Sequence, residues 1–89
     1  MNIEHDLQRH RFATEVDGQR AVLNYILADT VMTITHTGVP PQIGGRGVAA
    51  ELMRAALRAA RAAGWTVNPV CSYAAAYLRR HPDAEHLHR

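Results

Sequence analysis

Val39-Pro40-Pro41-Gln42-Ile43-Gly44-Gly45-Arg46-Gly47-Val48-Ala49 is the stretch on which the fold turns. Its adjacent prolines and its glycines exclude a regular helix and a regular strand, so the segment is a long connection. A helix follows at once. Val48, Leu52, Ala56, Ala59 and Ala63 recur at helical spacing, Glu51, Arg54, Arg58 and Arg61 form the opposite polar stripe, and Gly64 is the expected stop. The spacing predicts a helix over 46–63, roughly 27 Å long at ~1.5 Å per residue.

Upstream, Phe12, Thr14 and Val16 alternate with Arg11, Ala13 and Glu15, and Asp17-Gly18 reads as a hairpin turn. Residues 19–27 are apolar on both parities, as in a strand inside a sheet. Residues 31–37 are β-branched and alternating, with Met32, Ile34 and His36 expected on one face. Downstream, residues 65–70 predict a short fourth strand, and 73–80 a second helix with Ser72 as its N-cap, ended by Pro82. A strand, helix and strand in this order form a crossover unit with parallel strands. The expected architecture is an α/β (α+β) domain in β-β-β-α-β-α order with a mixed sheet. Residues 1–8 are expected to be a flexible N-terminus, 9–82 the single domain, and 83–89 a His-rich tail.

The chain has 89 residues, 47% hydrophobic and 20% charged, enough for one domain and a modest core. Its net charge of +2 is too small to argue for a nucleic-acid partner. One cysteine excludes an internal disulfide framework, and no apolar run approaches the ~18 residues of a membrane span. The start, Met1-Asn2-Ile3-Glu4-His5-Asp6, lacks the positive charge of a signal peptide, so a cytoplasmic location is expected. All ten basic residues are arginine, which compositional drift explains.

Free N–H groups at a helix start, with the positive end of its dipole, bind anions, and glycines let a phosphate approach closely. The alternative is that these glycines only make a tight turn. Gly45-x-Gly47-x-x-Ala50 is not a dinucleotide fingerprint, because the preceding loop is too long and no acidic residue ends the next strand. A Walker A loop needs a lysine, which the chain lacks. Other phosphate-bearing ligands remain, coenzyme A among them.

The segment from Val39 to Ala49, with the long helix, short strand and tyrosine-bearing helix after it, resembles the acetyl-CoA-binding core of the GNAT N-acetyltransferases. The loop motif of that superfamily, [Q/R]-x-x-G-x-[G/A], fits in two registers. Gln42, Gly45 and Gly47 complete it; Gly44, Gly47 and Ala49 keep the Val-Pro step before it, and this second register is preferred. A closer resemblance is to short single-domain members, through His36-Thr37-Gly38-Val39-Pro40, Pro69-Val70-Cys71-Ser72-Tyr73 and Arg80-His81-Pro82.

The resemblance implies a GNAT-like, mostly antiparallel sheet and a cofactor, acetyl-CoA, with its pantetheine arm between strands three and four. It implies cofactor contacts at His36, Thr37, Val39, Gly44, Gly45, Arg46, Gly47, Val48 and Ala49, with the thioester near Cys71. Cys71 precedes a helix start, a position that favours a nucleophilic thiolate, so it either accepts the acetyl group or sits beside it; a small buried core residue is the other reading. Tyr77 falls where many members have the tyrosine that protonates the departing thiolate, and Tyr73 on the same helical face could serve equally; both also suit a core aromatic. His36 could position the pantetheine, act as a base, or be a hydrogen-bonded structural residue.

His81, His86 and His88 invite a metal reading, but a solvated tail is the expectation and no metal site is predicted. The stripe Arg54, Arg58 and Arg61 is interrupted by Glu51 and lacks interleaved aromatics, so a solvated face is expected and not an RNA surface. The implied function is an acetyl-CoA-dependent N-acetyltransferase acting on an unidentified amine. The alternatives are a non-catalytic CoA or acyl-CoA binding module and, last, a small basic RNA-binding domain. The expected partners are acetyl-CoA and the amine acceptor, with no nucleic acid and no membrane, in a monomer or homodimer.

Overall fold

The computed structural model describes residues 1–87, including all side chains except those of Glu85 and His86. Its strands are β1 (Glu4–Asp6), β2 (Arg11–Val16), β3 (Gln19–Ala28), β4 (Val31–Gly38) and β5 (Thr66–Pro69), and its helices are α1 (Val48–Ala63) and α2 (Ser72–Arg80). The five strands form one sheet in sequence order, antiparallel except for the parallel pair β4–β5. The mixed, mostly antiparallel sheet and the strand–helix order are as expected, with two additions at the ends.

Residues 4–6, expected within a loose N-terminus, pair with β2 as an edge strand, where Glu4 opposes Ala13 and Asp6 opposes Arg11. Three residues are too few to show a period. At the other end, Pro82–Leu87 forms a 3-10 helix, and Ala84 and Leu87, only 6% and 7% exposed, join the core. Two apolar residues three apart anchor this segment, which had been expected to be a solvated tail. Of the three C-terminal histidines, only the His81 side chain is among those described.

α1 forms because its apolar residues Val48, Leu52, Met53, Ala56, Leu57 and Ala60 share one stripe, which lies buried. It begins two residues later than predicted, because Gly47 is left-handed (φ 76°) and acts as the N-cap. It ends at Gly64, also at φ 76°, where the Trp65 N–H reaches back to the Ala60 carbonyl (2.8 Å) in a Schellman-type closure. The stripe covers the sheet face that carries Phe12, Leu23, Tyr25, Met32, Ile34 and Val67. The opposite face is open to solvent, with Ile26 56% exposed. Among the described residues, no helix is long and apolar enough to cross a membrane.

One irregularity sets the geometry of the site. Tyr25 opposes Ile34, yet Asn24 opposes His36, so Thr35 is an extra residue in β4, a bulge. Side chains beyond it change faces. Thr37, opposite the buried Leu23, therefore lies on the helix side, while His36, opposite Asn24, lies on the open face. His36 was expected to share a face with Met32 and Ile34; strict alternation fails here because the bulge shifts the phase.

Candidate functional site

The parallel ladder β4–β5 stops abruptly. Its last pair is Ile34 with Pro69, and a proline has no N–H to donate onward. The N–H groups of both Val70 (3.1 Å) and Cys71 (3.0 Å) then converge on the Ile34 carbonyl, which fastens the end of β5 there. From Thr35 to Gly38, β4 continues beside β3 alone. A gap thus opens beyond the carboxyl ends of two parallel strands, where α/β sheets hold ligands.

Cys71 and Thr37 face each other at this gap, with Sγ and Oγ1 3.5 Å apart. Cys71, and not the expected Ser72, is the N-cap of α2: it has extended dihedrals and its sulfur accepts from the Ala74 N–H at 3.4 Å. It is half-buried. The core-residue and site readings of this cysteine therefore both hold in part, since it packs against the core and still borders the gap.

Beside the gap lies a groove of about 270 Å³, lined by Val39, Ile43, Gly44, Gly45, Gly47, Val48, Ala49, Ala50 and Tyr73. Val39 follows β4 directly and Tyr73 stands two residues beyond Cys71, so the groove adjoins the gap. The 3-10 turn Pro41–Ile43 buries Ile43 and brings the Gly44 N–H to the Pro41 carbonyl at 3.1 Å. Beyond it the chain turns at Gly45 and Gly47, with φ 78° and 76°. A Cβ at either position would meet no atom within 4 Å, so both glycines border open space.

The first hydrogen bond of α1 runs from the Glu51 N–H to the Gly47 carbonyl (3.0 Å), and no side chain caps the helix start. The N–H groups of its first turn accordingly have no partner within the helix. Together with the helix dipole, they form an anion acceptor that a phosphate-bearing group fits. Arg46 does not line the groove; its guanidinium pairs with Asp17 in the β2–β3 turn, linking the loop to the hairpin.

The two tyrosines separate. Tyr73 borders the glycine groove, and burial is the first cause that pushes its phenol above the usual tyrosine range, with Tyr77 adding to it. Tyr77 is only 6% exposed, stacks on the His81 ring at 3.9 Å, and borders a second groove of about 320 Å³ with Arg54, Arg58 and Arg61. The structure thus brings together Thr37, Val39, Gly44, Gly45, Gly47, Val48, Ala49 and Cys71 around the gap and the groove. It does not bring in Tyr77, Arg46 or His36, whose imidazole lies over Gly38 on the open face. Ile43 and Ala50 were missed as lining residues; their only sequence signal is adjacency to the glycines. Among the described residues, no cluster of metal-ligating side chains occurs.

The sequence profile of the GCN5-related N-acetyl-transferase family matches residues 11–87. The chain belongs to this family. Among its relatives is Protein NATD1, 33% identical in Mus musculus and 32% in Homo sapiens, over the whole of this chain and 84% and 81% of theirs. The solution NMR structure of a GCN5-like protein from Staphylococcus aureus superposes with a TM-score of 0.78, covering 99% of this chain and 87% of that one at 24% identity. That likeness establishes the shared fold. For this GCN5-related chain, the family match spans β2 to the C-terminal 3-10 helix, and so includes the glycine loop, the strand gap and Cys71.

Proposed function

We propose that this chain binds a coenzyme A thioester, acetyl-CoA, with the pyrophosphate on the amides at the start of α1 and the pantetheine arm in the gap between β4 and β5. The observation that carries this reading is the uncapped helix start behind Gly45 and Gly47, which opens onto a groove adjoining the gap. The unpaired edge of β4 from Thr35 to Gly38 offers an amide-bearing arm the hydrogen bonds that a further strand would make. Family membership supports the same ligand. A single unpaired thiol suits a reducing, cytoplasmic setting.

The test is titration with acetyl-CoA, read by calorimetry and by amide chemical shifts. Micromolar binding is expected, with the largest shifts at residues 45–51 and 35–38. Saturating acetyl-CoA that leaves both segments unshifted would refute it.

A second reading, acyl transfer to an amine, is favoured by the Pro69-Val70-Cys71-Ser72-Tyr73 segment. The segment sets Cys71 against Thr37, 3.5 Å apart, and Tyr73 at the edge of the adjoining groove. A bound thioester supplies an electrophilic carbonyl and a thiolate leaving group. Tyr73, a phenol that carries its proton at neutral pH, is the proton donor in this reading in place of Tyr77. Thr37 and the Ala74 N–H orient the Cys71 sulfur at the acetyl end. His36, on the open face of β4, is the group placed to take the proton of an amine arriving from that side.

A further inference from the structure

The helix layer and the sheet layer meet solvent with different chemistry. On α1 and α2, Arg54, Arg58, Arg61, Arg79 and Arg80 are exposed beside a single carboxylate, Glu51. On the open side of the sheet, β3, β4 and β5 present two adjoining rows that cross the strands, Ile26, Thr33 and Asn68 in one and Ala28, Val31 and Thr66 in the next. Along β4 and β5 these positions alternate with the buried Met32, Ile34 and Val67, so the pleat fixes the side on which they stand. None of the six is charged, and four are β-branched. A face that meets only water is kept soluble by charges, as the helices are; a surface cleared of them and β-branched has the composition of the centre of an interface.

The rim of the patch selects its occupant. Next to it, the open face carries Arg11 and Glu15 on β2 and Arg20 at the start of β3, with Glu4 and Asp6 beyond them on β1. Glu15 opposes Arg20 in register, yet the two form no ion pair among the described residues. Both signs are thus mixed along one rim, which does not repel a copy of itself, whereas the arginines of the helix side do. A strongly acidic or strongly basic partner finds no matching field on this face. The area points the same way. Four neighbouring strands ~4.8 Å apart, each with ~7 residues rising ~3.3 Å, present about 450 Å² of flat face per copy. Two such faces, enlarged by the relief of their side chains, come near the lower end of the roughly 1,200–2,000 Å² of specific interfaces, the size of a reversible dimer and not of an obligate one.

We propose that a second copy of this chain covers the open face, the two sheets stacking about a two-fold axis near Ile26 and Thr33. Each copy then meets the same uncharged rows on the other, and the mixed rims flank them. The rows lie before the bulge, which leaves His36 at their border and the glycine groove on the helix side of the sheet. The dimer therefore does not depend on what that groove holds.

The experiment is sedimentation velocity on the full chain from about 1 to about 500 μM, with amide chemical shifts followed over the same range. The wild type is expected to pass from monomer to dimer with a dissociation constant of about 10–100 μM, the scale of a small, partly polar interface. The shifts that move with concentration are expected at residues 26–33 and 66–68. Ile26→Lys sets two ammonium groups against each other across the two-fold, and Thr33→Lys does the same one strand over; each is expected to weaken the dimer at least about tenfold. Arg58→Ala, on the helix side, is expected to leave it unchanged. Both lysine positions lie on the solvent side of a single chain, and a thermal melt checks that the fold is kept. A wild type that stays monomeric over the whole range overturns the proposal. So does a dimer that either lysine variant preserves, or one whose moving shifts fall on α1 and α2, since both put the contact elsewhere.

Discussion

Gly47 offers the sharpest test of where the anion sits, because one substitution should stabilise the protein relative to its control and weaken the ligand. At φ 76° a side chain is strained by about 1–2 kcal/mol, but its Cβ meets no atom within 4 Å. Gly47→Ala and Gly47→Glu share that strain, so their difference isolates the carboxylate. In the free protein a carboxylate beside the start of α1 is favourable by about 0.3–1 kcal/mol. Toward a diphosphate it is repulsive: two unit charges ~5 Å apart at an effective dielectric of ~20–40 interact by about 1.5–3 kcal/mol. This corresponds to a dissociation constant raised about ten- to hundredfold. The expected result is that Gly47→Glu melts no lower than Gly47→Ala and yet binds acetyl-CoA at least tenfold more weakly by calorimetry. The difference in binding should narrow in 1 M salt, where the screening length is only ~3 Å. Equal affinities in the two variants would refute the placement of the anion at the α1 start.

Cys71→Ser keeps an N-cap for α2 and is expected to retain acetyl-CoA binding, while losing any acetyl mass on the protein or amine-dependent thiol release; undiminished release removes the sulfur from the chemistry. Tyr73→Phe is expected to lower thiol release by roughly a hundredfold or more, the scale of a lost general acid, while Tyr77→Phe changes it little; the reverse pattern would return the role to Tyr77. His5 supplies a stability prediction. Its Nε2 meets the Tyr25 hydroxyl at 2.6 Å, and burial is the main cause that lowers its pKa below 6.5, against the opposing charge of Asp6. Between the lowered folded value and 6.5 the unfolded chain binds more protons, so this contribution is complete above pH 6.5 and is lost as the pH falls through the folded value. Melting temperatures across this window should drop with pH in the wild type and less steeply in His5→Gln. Asp6, which the Arg9 backbone N–H in particular holds below 3.8, acts only at more acidic pH. Identical slopes in the two proteins would remove His5 as the cause.

The long elements were legible because each repeats its pattern several times. More than four turns of apolar spacing define α1, and the alternation of Arg11–Val16 together with Asp17-Gly18 defines the first hairpin. What escaped was what repeats too little or breaks a repeat. β1 has three residues, and the C-terminal 3-10 helix rests on two apolar side chains. The bulge at Thr35 leaves no composition cue, since threonine suits either phase of a strand. The same limit applied to the site. The glycine loop was readable from local backbone chemistry, whereas the sorting of Tyr73 from Tyr77 depends on which turn of α2 faces which turn of α1, a relation between distant segments.

The gap is built from main-chain irregularities and needs few dedicated side chains. Pro69 ends the parallel ladder for want of an N–H, and Ile34 takes two donors at one carbonyl. The bulge then turns Thr37 toward Cys71 and His36 to the other face. Thr37, Cys71 and Tyr73 thus stand on the helix side, while His36 lies on the open face of the sheet, apart from the opening. Holding a coenzyme requires only the helix side. Regular alternation would have put His36 in place of Thr37 against the sulfur. The bulge thus decides which side chain the helix side offers to the ligand proposed for the gap.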